Sequence, residues 1–225
     1  LIQKKKALPL CGNKNIAFDK IEVFTRSKNR VNSKIINFKK INKLNNSSKK
    51  VVLNDLKKIV LKRKNFLKNI DFLSPAIMGI LNLTPDSFSD GGKYNHTGKA
   101  KIHIKDMVKS GAKIIDVGGE STRPGSITVP DKIEWRRIKS IVRSFKRNYK
   151  NICLSVDTRK VDVMINSIKY KADIINDVSG FNYDSSALKR LKAYKISKVL
   201  HHMQGTPNTM QKNPYYKNVL LDIYD

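Results

Sequence analysis

The chain is predicted to be α/β, a (β/α)8 barrel represented by about its first five β/α units, preceded by a small basic α+β extension. Three observations lead there. From Leu73 onward, five strand-like apolar runs alternate with four complete helical stripes, and right-handed crossovers between such units build a parallel sheet. Each of the five runs ends in clustered polar side chains, which is where α/β enzymes collect their chemistry. Residues 1–74 lack this alternation and carry 20 Lys/Arg against four Asp/Glu.

Composition sets the outer limits. A chain of 225 residues suits one large domain, or a medium domain with an appendage. No apolar run approaches the ~20 residues of a membrane span. The N-terminal LIQKKKALPLCG is basic but lacks the apolar core of a secretory signal. It opens on Leu1 rather than Met, which fits a start inside a longer chain. The net charge of +28 invites a nucleic-acid reading. Against it, 36 of the 46 basic residues are Lys and only 10 are Arg, the side chain preferred for phosphate and base edges. Lys, Asn and Ile together make up 82 residues, a bias that A/T-rich coding produces. No specific nucleic-acid partner and no membrane are expected. A general attraction for anions is, and would suit phosphorylated substrates. Cys11 and Cys153 lie far apart in no metal-like spacing. They fit a reducing, cytoplasmic setting without disulfides, with Cys153 a buried thiol.

Taken in order, Ile21–Thr25 and Val31–Phe38 flank Ser27-Lys28-Asn29-Arg30 and read as a β-hairpin. Asn45-Asn46-Ser47-Ser48 reads as a linker or helix entry. Val52, Leu56, Ile59, Val60 and Phe66 follow at helical spacing with Lys opposite. Residues 1–74 are read as a structural appendage, with a lid, docking or dimer role as the functional alternative. The strands of the second region, 75–225, are expected at Ala76–Leu83, Lys113–Gly118, Ile152–Thr158, Asp173–Val178 and Lys198–Met203. Between them lie helical stripes. Ala100, Ile104, Met107, Val108 and Gly111 form one. Trp135, Ile138, Val142 and Phe145 form the next, opened by a capping-box-like Asp131 and Glu134. Val161, Met164, Ile165 and Ile168 form the third. Ala187, Leu188, Leu191 and Tyr194 form the fourth, with Asp184 as N-cap. A further helix is expected near Tyr215. No G-x-G-x-x-G or G-x-x-x-x-G-K-[ST] occurs, which argues against dinucleotide and P-loop readings. A full barrel needs eight strands and about 250 residues, so this stretch covers roughly two-thirds of one.

The polar strand ends carry the function. The first strand ends at Asn82 and the loop TPDSFSDGG. The second ends at Asp116 and runs into Glu120, Ser121, Thr122 and Arg123. The third ends at Asp157 and Thr158, the fourth at Asn176 and Asp177, and the fifth at His202, Met203 and Gln204. Each alone fits a helix cap or a satisfied core polar group; five in succession do not arise easily by chance. There is no G-x-S-x-G elbow and no H-E-x-x-H pair. Inward Asp and Asn side chains suit a flat heterocycle rich in N–H groups and ring nitrogens, because a carboxylate accepts two N–H bonds and an amide both donates and accepts. Arg123, in a Gly/Pro loop, suits a phosphate or diphosphate. Asn82 with its loop suits Mg²⁺, which keeps several waters and substrate oxygens.

ILNLTPDSFSDGG, IIDVGGESTRPGS, SVDTRK, INDVSG and HMQGTPNTMQ, in this order and spacing, resemble dihydropteroate synthase over about residues 75–217. The resemblance implies a TIM barrel and a transferase of folate biosynthesis. Its reaction condenses 6-hydroxymethyl-7,8-dihydropterin diphosphate with p-aminobenzoate to give 7,8-dihydropteroate and diphosphate. It implies that Asn82 is the Mg²⁺ and diphosphate contact. Asp157 and Asn176 would hold the pterin, with Met203 lining its pocket. Thr122 would contact substrate in the second loop. Phe88 and Pro124 would border the p-aminobenzoate pocket, which sulfonamides occupy. Arg123 would help bind anion, and Asp90 would belong to the closing first loop. It also implies a homodimer for the full-length protein.

The family's later motifs, Asp-Pro-Gly-Phe-Gly, Ser-Arg-Lys and Arg-x-His, do not occur in these residues. Residues 1–225 alone are therefore expected to be inactive and poorly folded. Two alternatives share the Asp/Asn logic: a methyltetrahydrofolate-dependent methyltransferase pterin domain, and a non-catalytic barrel remnant or scaffold. The first needs no p-aminobenzoate loop, and TPDSFSDGG and GGESTRPG argue against it. The second is disfavoured by the polar groups kept at all five strand ends. A third class, an anionic-surface binder working through residues 1–74, would show steep salt dependence.

Overall fold

The structure, a computed structural model, describes residues 2–225 apart from 28–29, 63–64, 66, 68–69, 71, 73, 85–95, 122 and 124–125. The chain divides into two compact units, Leu1–Asn65 and Phe66–Asp225.

In the first unit, β1 (Leu8–Leu10) pairs antiparallel with β2 (Asn13–Phe18), and β3 (Lys20–Ser27) pairs antiparallel with β4 (Arg30–Asn37). The second pair is the expected hairpin, in register from Lys20 opposite Asn37 to Ser27 opposite Arg30. A 3₁₀ turn over Phe38–Lys43 leads to α1 (Asn46–Val60). Its N-cap Asn45 accepts a hydrogen bond from the Ser48 N–H at 2.8 Å, the usual way a helix start satisfies an orphan donor. At the other end, the Cys11 and Gly12 N–H groups donate to the Ile59 and Val60 carbonyls, both at 2.8 Å. The β1–β2 pair was not anticipated, and it serves as the C-terminal lid of this helix. Gly12 makes it possible. Its φ is +74°, and a Cβ there would stand 2.7 Å from Lys62 Cβ.

The second unit is a five-stranded parallel sheet in sequential order. β5 (Met78–Asn82), β6 (Ile114–Gly118), β7 (Cys153–Asp157), β8 (Ile174–Asp177) and β9 (Ser197–Leu200) each pair with the next. The crossovers are α2 (His96–Lys109), α3 (Asp131–Asn148), α4 (Val161–Lys169) and α5 (Ala187–Leu191), and α6 (Val219–Tyr224) follows β9. Strand, helix and order agree with the barrel expectation, with each strand a residue or more shorter than its apolar run. The last helix starts at Val219 rather than near Tyr215. Asn218 accepts from the Leu221 N–H, and Asp222 accepts from the Lys217 N–H.

One face of the sheet carries the main core. Leu81, Ile115, Val117, Leu154, Val156 and Ile175 pack against Ile104, Ile138, Val142, Phe145, Met164 and Leu191 from the helices. Each such side chain contributes about 1.5–3 kcal/mol by leaving water. The opposite face is layered by register. Its lowest row, toward the strand N-termini, is Met78, Ile114 and Cys153; the next is Ile80, Asp116, Ser155, Ile174 and Ser197; the top is Asn82, Gly118, Asp157, Asn176 and Val199. Leu67 and Ile70 are buried against Ile114, Cys153 and Ile174. They belong to the sheet unit, so the division falls before the expected boundary at residue 74. Above the lowest row the face turns polar, with Asp116 and Ser155 in the next row and Asn82, Asp157 and Asn176 in the top one.

Candidate active site

Side chains two residues apart on a strand share a face, so the two upper rows project to the same side at the C-terminal end of the sheet. Asn82, Gly118, Asp157 and Asn176 are successive partners across four strands. Gly118 leaves a notch in that row. A Cβ there would lie 3.2 Å from Asn82 Oδ1 and 3.8 Å from Asp157 Oδ2. The notch is thus edged by an amide oxygen and a carboxylate oxygen.

Beneath it, Asn176 Nδ2 donates to Asp116 Oδ2 at 3.3 Å. Asp116 Oδ1, Asn176 Oδ1 and Ser155 Oγ are buried without a hydrogen-bond partner in the protein. Buried polar atoms are almost always paired, so the two acceptor oxygens of Asp116 and Asn176, with the Ser155 hydroxyl beside them able to donate or accept, form a set that a ligand rich in N–H donors would complete.

The electrostatics follow from crowding acids at a dry site. The Asp157 carboxyl is pushed up to about 7, first by burial and then by the charges of Asp116, Glu134, Asp177 and Glu120. Burial also pushes Asp116 up, against the pull of the neighbouring Ser155 hydroxyl, the Asn176 amide and His201. Asp177 plays a different part. Its Oδ1 accepts from the Ser179 N–H and hydroxyl, both at 2.7 Å, and its Oδ2 accepts from the Phe181 N–H at 3.0 Å. It builds the loop after β8, with both its oxygens engaged by that loop's own donors.

The segment after β6 is anchored from below. Glu120 is buried and takes hydrogen bonds from Val129 N–H, Arg159 and Lys160. Arg137 Nη1 donates to the Gly119 carbonyl at 2.8 Å. Burial would raise the Glu120 carboxyl, but Lys160, the Val129 N–H and Arg159 outweigh it and hold it below the usual range. Arg123 is exposed on a turn closed by Ser126 Oγ donating to the Ser121 carbonyl at 2.6 Å. Glu134 does not cap α3. The N-cap is Pro130, which makes no side-chain cap bond. Glu134 is fully buried and accepts from Lys160 Nζ at 2.6 Å. Asp184 likewise precedes the N-cap Ser186 of α5, whose N–H and hydroxyl it accepts.

Of the residues expected to form the site, Asn82, Asp157 and Asn176 share the top row, and Arg123 stands on the adjoining segment. Met203 is half-buried beyond the end of β9, in a stretch where Gln204 bonds the Tyr215 backbone and His202 pairs with the Tyr216 hydroxyl. Phe88, Asp90, Thr122 and Pro124 lie outside the described residues. Asp116 was read as a polar strand end but given no role, and Ser155 was not singled out; its signal was positional, one row below Asp157 on β7. Among the described residues, no three His, Cys, Asp or Glu side chains are grouped so as to hold a metal, and no helix is long and apolar enough to cross a membrane.

Comparison with known proteins agrees with this geometry. Residues 78–224 match the family described as pterin binding enzyme. The chain is 42% identical over 156 residues to the dihydropteroate synthase of Haemophilus influenzae, covering 69% of this chain and 56% of that protein. The crystal structure of the Yersinia pestis dihydropteroate synthase with a sulfonamide drug superposes with a TM-score of 0.63 at 41% identity, over 69% of this chain and 56% of the other. The dihydropteroate synthase of Clostridium difficile, in the presence of pteroic acid, gives 0.59 at 40% identity, over 67% and 54%. The chain spans about half the length of the curated relatives it matches.

Proposed function

The chain belongs to the pterin-binding enzyme family, and from that premise we propose that it is the pterin-holding part of a dihydropteroate synthase. The reaction is the condensation of 6-hydroxymethyl-7,8-dihydropterin diphosphate with p-aminobenzoate. The observation that carries this reading is the polar set of Asp116, Ser155, Asp157 and Asn176 on one face of the sheet, in which one oxygen each of Asp116 and Asn176 is buried without a protein partner. A pterin presents an amine and a ring N–H along one edge, and carboxylate and amide oxygens are their complement.

The same residues favour the chemistry. In the reaction the C–O bond to diphosphate breaks, the diphosphate keeps the electron pair, a C–N bond forms to the arylamine, and the amine gives up a proton. Positive charge builds on the pterin methylene as the leaving group departs. Asp116 and Asp157, when ionised, would supply a preorganised negative field for it in a site of low dielectric. Arg123 is suited to the departing anion. No covalent nucleophile is required, and none is proposed.

Asn82 is the residue we assign to Mg²⁺. The open notch at Gly118 leaves its Oδ1 uncrowded, and Mg²⁺ needs few protein oxygens when waters and substrate phosphates complete its shell. When bound, the ion would neutralise charge on the diphosphate. Phe88, Asp90, Thr122, Pro124 and Met203 keep the roles that the resemblance implies for them.

The test is direct. The protein as its gene encodes it, with pterin diphosphate, p-aminobenzoate and Mg²⁺, is expected to form 7,8-dihydropteroate and diphosphate in equal amounts, with inhibition by a sulfonamide. Pterin binding without product, or methyl transfer from methyltetrahydrofolate, would refute it.

A further inference from the structure

Thr158-Arg159-Lys160 follows β7 directly and holds two cations that the proposed chemistry does not use. Both are buried. Arg159 Nε and Nη2 donate to Glu120 Oε2 at 3.1 and 2.9 Å, and Nη2 also reaches Thr128 Oγ1 at 3.3 Å. Lys160 Nζ donates to Glu120 Oε1 at 2.8 Å and to Glu134 Oε2 at 2.6 Å. The four side chains are between 0% and 8% exposed. On its other side, the Arg159 guanidinium lies 4.3 Å from the centre of the Tyr183 ring. The cluster therefore joins the segment after β6, the first turn of α3, the segment after β7 and the loop after β8.

Burying four charges is a poor route to stability, because well-packed apolar side chains do as well. What charges add is direction. A guanidinium fork on a carboxylate and an ammonium shared by two carboxylates fix the relative placement of the elements that carry them. Here those elements have Arg123 at one end and Asp157 at the other. Glu120 opens the turn that bears Arg123, and Arg159 stands just past Asp157. The turn itself is braced by Ser126 on Ser121 and by the Ser126 N–H on the Arg123 carbonyl at 3.0 Å. Anchoring Glu120 therefore bears on where Arg123 stands.

We propose that Glu120, Arg159, Lys160 and Glu134 are positioning residues that set the diphosphate-binding turn at a fixed place relative to Asp157, and so govern recognition of the diphosphate separately from that of the pterin ring. The inference rests on the functional reading above.

The readout is the affinity gained from the diphosphate: the ratio of dissociation constants for 6-hydroxymethylpterin and its diphosphate, measured by calorimetry on the full gene product at fixed Mg²⁺. Arg159→Lys keeps the charge and loses the fork. It is expected to reduce that gain about tenfold while leaving ring affinity within about twofold, since a small misplacement far from the chemistry is enough. Glu120→Gln should act in the same direction. Arg123→Ala should remove the part of the gain that Arg123 supplies and leave the Mg²⁺-dependent part, and adding Arg159→Lys to it should cost nothing more, as two residues acting through one contact require. Folded Arg159→Lys and Glu120→Gln proteins that keep the full gain would overturn the proposal. So would variants that lose ring and diphosphate affinity in equal proportion. A wild-type protein that binds no pterin would instead overturn the functional reading.

Discussion

Asn176 reaches across β7 to donate its amide N–H to Asp116 at 3.3 Å, linking the top row of β8 to the row below on β6. The bond orients both side chains at once. It uses the Asn176 donor and one Asp116 oxygen, and it leaves an acceptor oxygen on each with no protein partner.

Removing the link should therefore be felt in binding more than in folding. Asn176→Ala strips Asp116 of a hydrogen bond that pulls its carboxyl down, so burial pushes that carboxyl further up and weakens it as an acceptor. Losing one acceptor and disordering another is worth about 1–3 kcal/mol. The expected result is a 10- to 100-fold weaker dissociation constant for 6-hydroxymethylpterin, by calorimetry, with an unchanged far-UV spectrum. Unchanged affinity would remove Asn176 from the site.

Asp157 makes a prediction about stability and pH. Its carboxyl titrates near 7 when folded against an ordinary 3.8. The folded state holds that proton more tightly than the unfolded chain. Its contribution is fully present below 3.8 and is lost as pH rises through about 7. Asp157→Asn should thus match the wild type near pH 4 and be the more stable protein at pH 8, by up to about 4 kcal/mol. The same substitution should abolish tight pterin binding, because an amide offers one acceptor oxygen and an N–H donor where a carboxylate offers two acceptor oxygens. Denaturant unfolding at the two pH values checks the first claim. A variant less stable than wild type at pH 8 would contradict it.

The rows that build the site were legible in the sequence because a parallel strand buried on one face keeps strict spacing. Asn82, Asp157 and Asn176 stand at the ends of apolar runs, and register then aligns them without further information. Glu134 shows where local pattern fails. An Asp followed three residues later by Glu reads the same whether the Glu turns back to cap its helix or inward to meet a lysine. Lys160, which decides between them, is 26 residues away. The pair β1 and β2 was hidden for a related reason. Pro9 and a register shift beside it break the alternation that marks a strand, and the backbone donors of Cys11 and Gly12 that give the turn its purpose leave no trace in side-chain type. Leu67 and Ile70 sit among Lys, Asn and Asp neighbours in sequence, and only their packing on Ile114, Cys153 and Ile174 shows which unit claims them.

Two adjacent glycines should answer differently to the same added methyl group. At Gly119, a Cβ would stand 2.8 Å from the Glu134 carbonyl oxygen and 2.9 Å from Ile138 Cγ2. Backbone cannot yield cheaply, so Gly119→Ala must push α3 away from the sheet, at a cost of about 1–3 kcal/mol for an overpacked contact. At Gly118 the nearest atom is Asn82 Oδ1 at 3.2 Å, the end of a side chain that can rotate. Gly118→Ala should then change stability by less than about 1 kcal/mol. It should instead displace Asn82 from the notch and weaken the Mg²⁺-dependent part of diphosphate affinity, leaving ring affinity in place. Thermal unfolding and calorimetry with and without Mg²⁺ separate the two effects. Equal loss of stability in both variants, or an unaltered Mg²⁺ response in Gly118→Ala, would show that the notch is a packing detail and not the edge of the metal and diphosphate subsite.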